Sequence, residues 1–224
     1  MSSGPLVRAE GLELRYGKLR AVEGLTVEIP RGVVLLIGPN GSGKTTFMRA
    51  IAGLLKPSRG RLEVLGLDPY RQIGRLAGRI MYLPEYDPYP LTATVGHVVE
   101  VLSLAYGSSA VEEAVELLGL RGSLGKAVGE LSHGMRRRLS LVEALACGRE
   151  LILLDEPYRG LDKGSRQVVS KALEALAGRG VSMIIASHVV PRMPIDHVVI
   201  MENGRLIYSG EPDMDRVVCT VIEC

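Results

Sequence analysis

The sequence predicts an α/β fold: a largely parallel sheet with helices on both faces, an antiparallel β subdomain in front of it and a helical subdomain inserted into it. Three observations carry this expectation. Short apolar runs of strand length alternate with segments of helical periodicity along most of the chain. Of the 224 residues 46% are hydrophobic but only 4% aromatic, with no Trp and one Phe, so the core is built of Val, Leu, Ile and Ala, as suits strands buried on both faces. Between Leu91 and about Gly129 the pattern becomes wholly helical, which marks an insert of about 86–130 in a single domain, 1–224.

The elements follow in order. From Leu6 to Pro30, apolar and polar residues alternate (Leu12, Leu14; then Leu25, Val27, Ile29), which reads as antiparallel strands turning at Tyr16-Gly17-Lys18. Val33 to Ile37 is a continuous apolar run, a strand buried on both faces. A Gly-rich turn and a helix from about Lys44 to Leu55 come next, the helix stopped by Pro57 and Gly60. Strands are expected at Arg61 to Leu65 and Arg79 to Leu83. Within the insert, Val95, Val98, Val99 and Leu102 share one helical face, as do Val111, Ala114, Val115 and Leu118. The core resumes with a helix at Gly134 to Ala146, a strand at Leu151 to Leu154 and a helix near Ser165 to Ala177. Strands at Val181 to Ala186, His197 to Met201 and Arg205 to Tyr208 complete it.

Composition excludes several classes. A net charge of +2 and no basic stripe speak against a nucleic-acid partner. The three cysteines, Cys147, Cys219 and Cys224, are odd in number and lack metal-ligand spacing, so buried or tail thiols of a reducing compartment are expected. Neither a signal pattern at Met1 to Pro5 nor an apolar run near the roughly 20 residues of a bilayer span is visible. A cytoplasmic protein is expected, and any membrane role requires a separate partner.

The segment Gly38-Pro39-Asn40-Gly41-Ser42-Gly43-Lys44-Thr45 has two glycines enclosing four residues ahead of Lys-Thr, the pattern of a phosphate-binding P-loop. Glycines let backbone N–H groups converge on phosphate oxygens, and the helix that follows points its positive end at the same anion. Lys44 supplies a cation to the β- and γ-phosphates. The Thr45 hydroxyl, with Thr46 beside it, is placed to ligate Mg²⁺. Downstream, Leu151-Ile152-Leu153-Leu154-Asp155-Glu156 is an apolar strand ending in two acids, where α/β sheets bind ligands. Asp155 is the expected partner of Mg²⁺, and Glu156 the group that takes a proton from the attacking water. ATP and Mg²⁺ are therefore the expected ligands.

Several ordered motifs resemble the nucleotide-binding subunits of ATP-binding-cassette (ABC) transporters. Leu131-Ser132-His133-Gly134-Met135 resembles their Leu-Ser-Gly-Gly-Gln signature. Gly160-Leu161-Asp162 resembles the D-loop, Ser187-His188 the switch histidine, Tyr82-Leu83-Pro84-Glu85 the Q-loop, and Tyr16 the aromatic that stacks on adenine. The likeness spans about Leu6 to Gly210. It implies the fold of ABC ATPases and an ATP-hydrolysing subunit that drives a transporter. It further implies a second ATP-binding subunit, identical or different, packed head to tail so that Ser132 and Gly134 grip the opposite nucleotide. It implies an integral membrane permease, with this chain peripheral on the cytoplasmic face. The catalytic set carried over is Glu156, His188 and Lys44; Tyr16, the loop residues, Glu85, Ser132, Gly134 and Asp162 bind nucleotide; Thr45, Glu85 and Asp155 hold the metal.

Three departures qualify the resemblance. His133 stands in place of the first signature Gly and Met135 in place of Gln; the new side chain either crowds the opposite nucleotide or points outward. Glu85 replaces the usual Gln. Together with Gly134-Met135-Arg136-Arg137-Arg138-Leu139 it resembles the branch serving ABC-2-type exporters, although the arginines read equally as a solvated face. Pro191 and Pro194 make a regular helix over Val189 to Ile195 unlike the pattern of the sequence. Two rivals remain: a soluble relative such as the ATPase of iron–sulfur cluster assembly, against which the lack of a Cys cluster and Glu85 speak, and a hydrolysis-impaired half of an asymmetric pair.

Overall fold

The structure is a computed structural model and describes residues 4–213. Two antiparallel strands open the chain, β1 (Val7–Tyr16) and β2 (Leu19–Ile29), followed by β3 (Val33–Ile37), α1 (Lys44–Ile51), β4 (Arg59–Val64), α2 (Ile73–Leu76) and β5 (Ile80–Leu83). The insert holds α3 (Val95–Tyr106) and α4 (Ser108–Leu117). Then come α5 (His133–Ala146), β6 (Leu151–Asp155), α6 (Lys163–Gly178), β7 (Ser182–Ala186), β8 (His197–Glu202) and β9 (Arg205–Gly210).

The strands form two sheets. One has the order β2-β1-β4 and is antiparallel. The other has the order β5-β6-β7-β3-β8-β9 and is parallel except for the β8–β9 pair. The segment at Arg59–Val64 thus joins the antiparallel subdomain, not the parallel core.

The period-2 rule of a strand explains how the sheet separates two cores. Val33, Leu35 and Ile37 of β3, with Ile152 and Leu154 of β6, face a core that takes in α3, α4, α5 and α6. Their neighbours Val34 and Leu36, with Leu151 and Leu153, face a second core that takes in α1 and the antiparallel sheet. Every residue of β3, β6 and β7 is buried, as the unbroken apolar runs require.

The boundaries differ locally from those the pattern suggests. Helix α1 ends at Ile51 rather than Leu55, because Gly53 takes φ +75° and turns the chain. Helix α2, four residues long, is too short to show a period. No helix forms over Val189 to Ile195. Cys147 is a buried free thiol, whereas Cys219 and Cys224 lie outside the described residues. Among the described residues no helix is long and apolar enough to cross a membrane.

Candidate functional site

The carboxyl ends of the parallel strands converge on one side of the sheet, and each delivers a motif. Strand β3 leads into Gly38 to Thr45, β5 into Pro84-Glu85, β6 ends at Asp155 ahead of Glu156, and β7 leads into Ser187-His188. The cleft they enclose, of about 980 Å³, is lined by Gly38 to Thr46, by Tyr16, Leu19, Arg20 and Ala21 from the antiparallel sheet, and by Glu85, Glu156, Arg159 and His188. It is large enough for a nucleotide.

The loop is built for close approach. Gly43 caps α1 at φ +98°, a conformation that side chains resist, and a Cβ there would sit 2.6 Å from the Ala21 carbonyl. Beneath the loop the Ser42 hydroxyl is buried and finds no hydrogen-bond partner among the described residues. Lys44 is 6% exposed and donates from Nζ to the carbonyls of Gly38 (2.6 Å) and Pro39 (3.1 Å). Burial holds its pKa below the ordinary lysine value, against the pull of Glu156 and Asp155. An entering phosphate oxygen meets a pre-placed ammonium, an orphan hydroxyl and the N-terminus of α1.

Asp155 is almost wholly buried, and both of its oxygens are engaged. The Thr45 hydroxyl donates to Oδ1 at 3.2 Å, and the Tyr82 hydroxyl to Oδ2 at 3.0 Å. Burial, reinforced by the charge of Asp155, raises the Tyr82 pKa well above the phenol range, so this group stays protonated and keeps donating. One carboxylate and one hydroxyl suit a magnesium ion, which completes its shell with water and substrate phosphate; Asp155 and Thr45 therefore fit Mg²⁺ held in this way.

Glu156 is 7% exposed and occupies φ +49°, an uncommon region for a non-glycine residue and one found at functional sites. Its Oε2 lies 2.7 Å from His188 Nδ1, and its own N–H donates to the Ala186 carbonyl. With Glu156 ionised, Nδ1 carries the proton of that contact. Among the described residues both Glu156 side-chain hydrogen bonds, from the His188 backbone N–H and with the His188 ring, fall on Oε2 and none on Oε1.

Three residues expected at the nucleotide do not line the cleft of their own chain. Ser132 caps α5, its Oγ accepting from the Met135 N–H at 3.2 Å, and Gly134 is buried in the first turn of that helix. Asp162 caps α6, accepting from the Ser165 N–H at 2.8 Å. Glu85 does line the cleft, but its carboxylate is ion-paired with Arg159. Tyr16 is half exposed at the rim, its hydroxyl accepting from Arg49.

The solvated-face reading of Arg136 to Arg138 fails at its centre. Arg137 is 1% exposed and donates to the carbonyls of Pro84 (2.7 Å) and Asp155 (2.6 Å). Arg136 reaches Asp87 and the Leu131 carbonyl, and Arg138 the Leu118 carbonyl. The motifs alone also did not single out Tyr82, Arg137 or Arg159. The one available signal was Arg159, a cation between two acidic motifs in a chain that carries an unusual carboxylate at Glu85.

Residues 22–159 match the sequence model of the family described as ABC transporter. The chain belongs to the ABC transporter family. Like its relatives, this ABC ATP-binding subunit is an ATPase coupled to transport. It is 32% identical over 235 positions to the Nod factor export ATP-binding protein I of Burkholderia orbicola (strain AU 1054), an alignment covering 100% of this chain and 77% of that one. Identity to the bacitracin transport ATP-binding protein BcrA of Bacillus licheniformis is 31%, covering 90% of this chain and 68% of that one. To the daunorubicin resistance ATP-binding protein DrrA2 of Streptomyces coeruleorubidus it is 33%, covering 94% and 68%. The structure of cbiO1 from Clostridium perfringens, part of the ABC transporter complex cbiONQ, superposes with a TM-score of 0.81 at 26% identity, covering 99% of this chain and 94% of that one. These relatives do not favour the iron–sulfur assembly reading.

Proposed function

We propose that this ABC subunit powers an exporter, that two ATP-binding subunits close head to tail over two Mg–ATP, and that Glu156 is the base of hydrolysis. The observation that carries the chemistry is the Glu156–His188 contact at the edge of the phosphate-binding loop. Lys44, Thr45 and the loop amides bind the β- and γ-phosphates. Asp155 and Thr45 hold the magnesium ion, which when bound neutralises charge on the phosphate oxygens. Glu156 Oε1 accepts the proton of the attacking water as the water oxygen bonds to the γ-phosphorus and the bond to the β-phosphate oxygen breaks. His188, half exposed and anchored through Nδ1, has Nε2 left for the γ-phosphate, to which it donates when both ring nitrogens carry a proton. Ser132 and Gly134 of each subunit complete the cage around the opposite nucleotide; their position at the start of a 14-residue helix, outside their own cleft, supports that reading.

Export as the direction rests on the named relatives, whose descriptions are of Nod factor export, bacitracin transport and daunorubicin resistance. Attachment to the cytoplasmic face through a permease is supported by exposed apolar side chains on and beside the helical insert, Tyr86, Leu91 and Leu104 among them.

The test is Glu156→Gln. The variant is expected to bind ATP and to form an ATP-dependent dimer in size-exclusion chromatography, while hydrolysis falls by about 100-fold or more. Full hydrolysis by this variant would remove Glu156 from the role of base.

A further inference from the structure

Glu85 and Arg159 come from two different loops, the turn after β5 and the segment between Glu156 and Asp162. Both line the cleft that holds the phosphate-binding loop, and they form an ion pair with each other. The pair is unlike a structural salt bridge buried in a core, since the two side chains are 39% and 61% exposed and open to whatever enters the cleft.

A carboxylate at this wall is a liability for a site that must receive a triphosphate, because it repels the added terminal charge. Of the other cations lining the cleft, Arg20 pairs with Glu23, and Lys44 sits on the Gly38 and Pro39 carbonyls at the loop. Arg159 is the cation placed to cancel Glu85, and a guanidinium has donors to spare beyond one carboxylate.

We propose that Arg159 is a specificity residue that makes this cleft prefer a nucleoside triphosphate over the diphosphate. It masks the Glu85 carboxylate and offers its remaining N–H groups to the terminal phosphate. The inference rests on the reading that ATP occupies this cleft. Glu85 and Arg159 act as one unit, a charge-balanced replacement for a neutral side chain, so that either residue alone is worse than both or neither.

Binding constants for a non-hydrolysable ATP analogue and for ADP, measured on the purified full chain at fixed magnesium, test it. Arg159→Ala is expected to weaken the triphosphate by about tenfold and ADP by less than about twofold, since the lost contact is of the charge-assisted kind. Adding Glu85→Gln to that variant is expected to restore most of the triphosphate affinity, and Arg159→Lys to retain part of it. Equal weakening of both nucleotides, no weakening of either, or no rescue by Glu85→Gln would overturn the proposal. If the unmodified chain bound neither nucleotide, the reading of the cleft itself would fall, a result distinct from those three.

Discussion

At the scale of single residues, His133 and Gly160 show how an unusual side chain in one motif is accommodated by another. The His133 ring lies against Gly160, which sits at φ +68°, and a Cβ on Gly160 would stand 2.6 Å from the ring. Gly160 is thus required twice, by its backbone and by its neighbour. Gly160→Ala is expected to lower stability by about 1–3 kcal/mol, read as a shift of the urea midpoint. Adding His133→Gly is expected to recover only the share due to the ring, because the backbone strain remains. Full recovery would show that φ +68° costs nothing here, and no recovery that the ring contact is immaterial. The residues of the phosphate-binding loop, Asp155 and Glu156 were legible in the sequence because each motif is contiguous and its chemistry is local. Arg159 on Glu85 and Tyr82 on Asp155 were not, because their partners lie 74 and 73 positions away and only the sheet order brings them together.

At the scale of elements, helix α5 is the hub. Its N-terminus carries Ser132 and Gly134, and from its first turns the buried Arg137 grips the turn after β5 and the end of β6 through the Pro84 and Asp155 carbonyls. One guanidinium therefore fixes Glu85, Asp155 and the signature relative to one another. Burial holds its pKa below the ordinary arginine value, with Asp87, Asp155 and Glu156 opposing that shift. Arg137→Met fills similar space but leaves the buried Asp155 carbonyl and the half-buried Pro84 carbonyl without that donor. It is expected to cost about 2–4 kcal/mol in urea unfolding and to lower hydrolysis; a loss below about 0.5 kcal/mol would show that the carbonyls find other partners. Helical periodicity announced α5 as an element. It gave no sign that one arginine of a basic run points inward, since three consecutive charges look alike until a core is packed against them.

At the scale of the whole molecule, the unbroken apolar runs of β3 and β6 made an α/β sheet covered on both faces legible before any coordinates. They did not reveal that β4 leaves that core for the antiparallel sheet, because strand pairing depends on partners and not on pattern. The arrangement puts Asp155, Glu156 and His188 at the carboxyl edge of the parallel sheet and packs the helical insert in one core with α5, so that in the proposed mechanism closure over nucleotide would reach the insert through that helix. The central claim, an ATP-driven subunit of a transporter, is tested most directly by purifying the tagged chain from its native host in mild detergent and identifying what accompanies it at a fixed ratio. The account predicts a polytopic membrane protein in complex with two ATP-binding subunits, whose ATP hydrolysis is lost with Glu156→Gln. A chain that hydrolyses ATP but is recovered alone, or with soluble proteins only, would contradict the transporter and leave the ATPase.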